Sequence, residues 1–196
     1  MKIHAIGKHK FSLDRGSDGV IRIKASDPSS LAAAMGYSHA RDRITQLMLV
    51  RLAGQGRLSE CLKDSEDTLA IDIFMRELGF GAQSREEVSQ LSSQTLEYAN
   101  AYCDGLNNYL TNNWRPFEFL MVGYTPEPWK IEDTLITMKL MGYVGLAQAQ
   151  QDMEKLIIKC IREDVDITRL KSLFRPHLDA MPDDLPELLK KVKLYR

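Results

Sequence analysis

The chain has 196 residues, with 26 Lys and Arg against 27 Asp and Glu, 4 His and 3 Cys. A formal net charge of -1 and the lack of a basic stripe argue against nucleic acid or an anionic membrane surface as partner. Hydrophobic residues at 44% and charged residues at 27% exclude a disordered chain, and the length suits one domain with a core that needs no disulfide or metal staple.

Only residues 1–25 read as strand. Phe11-Ser12-Leu13 alternates, Ser17-Asp18-Gly19 is a turn signal, and Val20-Ile21-Arg22-Ile23-Lys24-Ala25 alternates again, which predicts a hairpin. Ser26 and Asp27-Pro28-Ser29-Ser30 supply cap residues and an early Pro for a helix through Leu31, Ala34, Tyr37, Ile44, Leu47 and Val50, ended by Gly54 and Gly56. A second helix covers about 68–78 and stops at Gly79. Ser84-Arg85-Glu86-Glu87 matches a capping box. Ser93 opens a helix with the stripe Leu96, Ala99, Cys103, Leu106 and Leu110, ended by Asn112-Asn113. Trp114 to Trp129 reads as an irregular packed loop, because Pro126 and Pro128 exclude helix around them. From Ile131 a long helical pattern reaches about Glu163, with Gly142 and Gly145 as soft points inside it. Residues 164–196 read as short helices between prolines, ending in the basic run Lys190-Lys191-Val192-Lys193. The fold class is therefore mostly α with a short N-terminal β-hairpin. Two strands alone are marginal in water, so the hairpin either packs on the helices or joins a sheet supplied by another chain.

Cys61, Cys103 and Cys160 are odd in number, widely spaced and without a CxxC pair, so they read as small buried hydrophobes. His4, His9, His39 and His177 show no metal-ligand spacing, and His39 has no Ser, Cys or second acid in evident relation. The segment Met1-Lys2-Ile3-His4-Ala5-Ile6-Gly7-Lys8 lacks the apolar region of a signal peptide, and the apolar runs are too short to span a membrane. The expectation is a cytoplasmic protein, or a periplasmic one if a leader has been removed.

Residues 36–60 carry the most information. They read Gly36-Tyr37-Ser38-His39-Ala40-Arg41-Asp42-Arg43-Ile44-Thr45-Gln46-Leu47, then Arg51, then Gly56-Arg57-Leu58-Ser59-Glu60. Ala101-Tyr102-x-x-Gly105-x-Asn107 follows, and then Pro116-x-Glu118-Phe119, Gly123 and Pro126-Glu127-Pro128-Trp129-x-x-x-Asp133. In order and spacing these blocks resemble the α subunit of the penicillin acylase family, over about residues 11–154. Leu47 stands where that family usually has Met, and Leu106 where it has Val. Around Asp14-Arg15 and Gly19-Val20-Ile21-Arg22-Ile23 the likeness is looser, since the family's Pro and His are missing and its acid and base are transposed.

The resemblance implies an N-terminal-nucleophile hydrolase. In such enzymes a precursor cuts itself into a short α chain and a larger β chain, which together make an αββα fold. The β chain opens with Ser, Thr or Cys, whose α-amine, with a pKa near 7.7–8.0, acts as base for its own side chain. A chain beginning Met1-Lys2 supplies no such group, so no catalytic residue is expected here. One domain is expected over residues 1–196: strands 1–25 joining the partner's sheet, a helical body 26–163, and a helical tail 164–196 near the processing site. The substrate implied is a small N-acyl compound, such as a β-lactam side-chain amide or an acyl-homoserine lactone. Matching the glycines to the family places Val144, Ala147 and Gln148 beside the acyl pocket, where a thioether, an arginine and an aromatic are usual, so substrate preference should differ. Glu154, ten residues beyond Val144, falls where penicillin G-type enzymes place a ligand of a structural Ca²⁺, the other ligands coming from the β chain. No cofactor is implied for catalysis. Asp42, Arg43, Arg51, Arg57 and Glu60 read as a polar network joining the first helix to its surroundings, with Asp42, Arg43 and Gln46 close together by helical spacing. The alternative to the hydrolase is a non-catalytic helical interaction module.

Overall fold

The first 25 residues fold as a three-stranded antiparallel sheet in the order β1-β2-β3, with β1 Lys2–Ile6, β2 His9–Arg15 and β3 Ile21–Ala25. The structure is a computed structural model that describes residues 2–192, without the side chains of Lys2 and Gln148; Met1 and Lys193, part of the basic run, lie outside it. The sheet corrects the expected hairpin, because β1 adds a strand. Its inward positions are His4 and Ile6, and a histidine on the covered face hides the alternation. Phe11, Leu13 and Ile6 are buried against Ala33, Ala34 and Ala101, so the helices of this chain already cover one face of the sheet.

Helix α1, Pro28–Gln55, starts as its sequence dictates. Asp27 caps it, its Oδ1 accepting from the Ser30 N–H at 2.8 Å, and Pro28 fills the first turn. Gly56, at φ 65°, ends it in the left-handed conformation. The backbone leaves helical geometry once, at Arg43 (φ -140°, ψ 21°). Helix α2 is the single turn Leu58–Cys61, and α3, Glu66–Leu78, opens on a Ser65/Thr68 capping box. Helix α4, Phe80–Val88, contains Ser84 in its interior; the residue is fully buried and its hydroxyl has no partner, so it is no cap. The capping box expected at residues 84–87 is thereby overturned: α3 stops at Gly79 and α4 restarts at once, before Ser84 is reached.

Helix α5, Ser93–Asn112, packs along α1. Two glycines make that approach possible. A Cβ on Gly36 would run into the Tyr102 carbonyl oxygen, and one on Gly105 into the Ala33 carbonyl oxygen. A short helix α6, Phe117–Met121, sits inside the stretch expected to be irregular, before its two late prolines. Helix α7, Ile131–Gly142, then gives way to a π-helical turn, Tyr143–Ala147, before α8, Gln148–Arg162. The soft points at Gly142 and Gly145 thus become a change of helix type. Helices α9, Ile167–Leu173, and α10, Leu185–Lys191, complete the chain.

The chain divides into two compact units, Met1–Leu140 and Met141–Arg196. The first has a core of Ile44, Met48, Leu52, Leu106, Phe119 and Trp129 beneath α1 and α5, continuing under the sheet. The second has its own core of Ile157, Ile161, Leu170, Leu178 and Met181.

Candidate functional site

Part of the blocks singled out in the sequence, Arg51, Asn107, Glu127, Trp129 and Asp133, meets where the end of α1 reaches the start of α7. Arg51 is 1% exposed. Its Nη2 donates to the Tyr124 hydroxyl at 2.8 Å and its Nη1 to the Glu127 carbonyl at 3.1 Å, with Asp133 Oδ2 3.5 Å away. The guanidinium lies over the Trp129 ring, 5.5 Å from its centroid. Asp133 accepts from Gln55 Nε2 at 2.7 Å and from the Lys130 N–H at 2.9 Å. Burial pushes its carboxyl above the ordinary range, against the pull of the Lys130 N–H and the Arg51 charge. Asn107 brackets Trp129, donating to its carbonyl at 2.8 Å and accepting from its N–H at 2.6 Å.

A second cluster borders the first. Arg57 donates to Glu60 at 2.7 Å and to Glu127 at 3.0 Å, and its hydrogen bonds hold both carboxyls below their ordinary range. Asp72, buried on α3, accepts from the Leu58 N–H and the Ser59 N–H, each at 2.8 Å, and from the Ser59 hydroxyl. Burial works to raise its carboxyl, and those donors overcome it, so the carboxyl lies below its ordinary range. Asp72 thus caps α2 from another helix. It was missed in the sequence; the one available signal was an acid set among Leu69, Ile71, Ile73 and Phe74.

The expected single network is therefore several. Asp42 pairs with Arg15 of β2, at 2.6 Å through Oδ1, instead of with its helix neighbours Arg43 and Gln46. Packing of β2 against α1 brings Arg15 there, and the break at Arg43 interrupts the helical spacing. His39 contacts the Tyr102 hydroxyl at 3.1 Å, with no triad geometry.

Val144 and Ala147 both lie on the π-helical turn; Val144 is exposed and Ala147 half-buried. Gln148 opens α8, and its side chain lies outside the described residues. The turn is apolar yet largely uncovered, with Val144 and Leu146 exposed and Met141 exposed just ahead of it on α7. Glu154 lies on α8, its Oε1 accepting from Gln150 Nε2 at 2.8 Å. It lines a cleft of about 610 Å³ with Met153, Ile157, His177 and Leu178. Among the described residues no three His, Cys, Asp or Glu side chains converge to hold a metal. Glu154 alone does not make a Ca²⁺ site, which takes six to eight oxygens.

Comparison with known proteins places these residues in context. The penicillin amidase family profile matches residues 12–180. The chain is 30% identical over 149 residues to the acyl-homoserine lactone acylase QuiP of Pseudomonas syringae pv. tomato, covering 75% of this chain and 18% of that protein. It is 30% identical over 193 residues to the penicillin acylase 2 proenzyme of Pseudomonas sp. (strain SE83), covering 86% of this chain and 25% of that protein. The chain thus spans between 18% and 25% of the length of these curated relatives. Its fold is similar to a solved chain of the thermostable penicillin G acylase from Alcaligenes faecalis, with TM-score 0.64 at 21% identity, covering 95% of this chain and 94% of that chain.

Proposed function

This chain belongs to the penicillin amidase family, and on that premise we propose that it is the shorter chain of a two-chain amidohydrolase acting on an N-acyl amide bond. The carrying observation is the match over residues 12–180, whose motif residues build the scaffold of α1, α5 and α7. The uncovered apolar turn at residues 143–147 is the feature this reading explains: it forms one wall of the acyl pocket, closed by the larger chain. Curated relatives are several times longer than this chain, whereas the solved chain it resembles is about its own length. That pattern supports a short chain acting with a long one.

In this reading the larger chain carries an N-terminal Ser, Thr or Cys. Its α-amine takes the side-chain proton as the oxygen or sulfur attacks the acyl carbonyl. Backbone N–H donors hold the oxyanion, and the proton passes to the leaving amine as the amide bond breaks. Water then releases the acid. This chain contributes the acyl wall through Val144, Ala147 and Gln148. The names of the relatives point to β-lactam side-chain amides and acyl-homoserine lactones as substrates. Glu154 supplies one oxygen to a structural Ca²⁺ whose other ligands come from the larger chain.

Purification from the native gene, with intact mass and N-terminal sequencing of any partner, tests the two-chain reading. A partner opening with Ser, Thr or Cys is expected; a single chain without hydrolase activity would overturn it. Val144→Phe and Gln148→Phe should each shift relative kcat/KM among acyl lengths by about tenfold, since a methylene in a pocket is worth roughly 1–3 kcal/mol. An unchanged chain-length profile in both variants removes these residues from the pocket. For calcium, metal analysis of dialysed wild type and Glu154→Gln should show bound ion lost in the variant.

A further inference from the structure

We infer that a cleft between the sheet and helices α1 and α5 binds a small aromatic carboxylate, with Arg41 taking the carboxylate and Tyr37, Tyr109 and His4 lying against the ring. The site goes beyond the proposed reaction and belongs to the first unit alone.

The close contact at Gly36 and Gly105 fixes where the cleft opens. Tyr37 and Arg41 follow Gly36 on α1, and Tyr109 and Asn113 follow Gly105 at the end of α5. Each pair is four residues apart, so both members share one helix face. Those two faces and the sheet enclose about 470 Å³, within the range of about 300–1,000 Å³ usual for small-molecule sites. Three of the lining rings touch. Tyr37 and Tyr109 meet edge to face with centroids 5.6 Å apart, and His4 lies 5.0 Å from Tyr37. All three are half-buried, so aromatic surface stays open to the cleft.

Charge selects the ligand. Arg15 borders the cleft but is spent on Asp42 at 2.6 Å and on the Gly19 carbonyl at 2.8 Å. Asp42 is thereby withdrawn from Arg41, its neighbour in sequence. Arg41 is exposed and has no hydrogen bond or ion pair among the described residues. Asp14, the lining acid, is turned by strand alternation to the face of β2 opposite buried Leu13, and it is engaged with a group other than Arg41. One unpaired guanidinium fork matches one carboxylate, and rings beside it match a flat apolar body. His4 belongs to β1, ahead of the matched residues 12–180, so this wall lies outside what the family profile describes.

Calorimetric titration with benzoate, on the protein purified from its native gene, tests the site. Benzamide, which lacks the charge, and acetate, which lacks the ring, should each bind at least about tenfold more weakly than benzoate. Arg41→Gln should weaken benzoate by at least about tenfold, or remove one of two sites if the acyl wall also takes benzoate. Its thermal unfolding curve should stay unchanged, because the side chain is exposed. Val144→Phe should leave the Arg41-dependent binding intact. Absence of benzoate binding, or equal binding by wild type and Arg41→Gln, overturns the site. Acetate binding as tightly as benzoate would refute the aromatic ligand, and benzamide binding as tightly would refute the carboxylate. Loss of benzoate in Val144→Phe with retention in Arg41→Gln would assign it to the acyl wall and leave the two-chain reading standing.

Discussion

Arg51 is the residue on which most of the first unit's polar core depends. Its planar fork reaches a tyrosine hydroxyl and a backbone carbonyl, and places charge beside Asp133. Arg51→Met would leave Asp133 buried without its counter-charge, a loss of about 3–5 kcal/mol. Arg51→Lys should recover little, since one ammonium cannot span the same acceptors. Urea unfolding of the assembled protein reads both. The importance of Arg51 was legible from its place in the motif, but its partners were not. They lie 73 and 76 residues away, and one is a backbone carbonyl, which no side-chain pattern announces. For Asp42, spacing within one helix pointed to the wrong partner, because the true one is 27 residues away on a strand. The Arg57 cluster carries a pH prediction. Glu60 and Glu127 titrate below their ordinary range in the folded protein. Their contribution is therefore present above the unfolded value of about 4.3 and is lost as pH falls through the folded values. Melting temperature should drop on acidification below about pH 4.3, and Arg57→Gln should flatten that part of the curve by removing the shared donor.

At the scale of elements, helix limits followed the sequence closely wherever a cap or glycine sets them. Asp27 with Pro28 opens α1, and Gly56 and Gly79 close α1 and α3, whereas the Ser65 cap starts α3 two residues ahead of the expected 68. What failed needed tertiary knowledge. Ser84 looks like a cap by spacing alone, yet α4 is already under way at Phe80. Strand β1 turns a histidine inward and an isoleucine outward, so its alternation reads backwards. Two of the motif glycines have a plain packing role where α1 crosses α5. Gly105→Ala places a methyl against the Ala33 carbonyl, and the helices can accommodate it only by moving apart. Overpacking of this kind costs about 1–3 kcal/mol, and backbone against backbone leaves no flexible end to yield. The urea midpoint of Gly105→Ala should fall accordingly, while Gly142→Ala, with open space around it, should shift stability far less.

Large apolar side chains stand exposed in both units. In the first unit, Leu69, Ile73 and Phe74 of α3 face outward, and Trp114 is 95% exposed ahead of exposed Phe117 and Met121. In the second, Val144 and Leu146 stand exposed on the π-helical turn, with Leu156 exposed on α8. Where such side chains cluster within a unit, they mark an interface or an aggregation hazard. A sheet with two open edges adds unpaired backbone groups to the same account. If a larger chain covers these surfaces, the interface is of the obligate kind, above about 2,000 Å² and apolar at its centre. The chain produced alone should then bind a hydrophobic dye strongly, associate in sedimentation and hydrolyse no amide. Coexpression with the partner should abolish dye binding and bring turnover together, because burial and completion of the site are one event in this reading. A cooperative, monomeric unfolding transition for the isolated chain, with no dye binding, would instead make it a self-sufficient helical module.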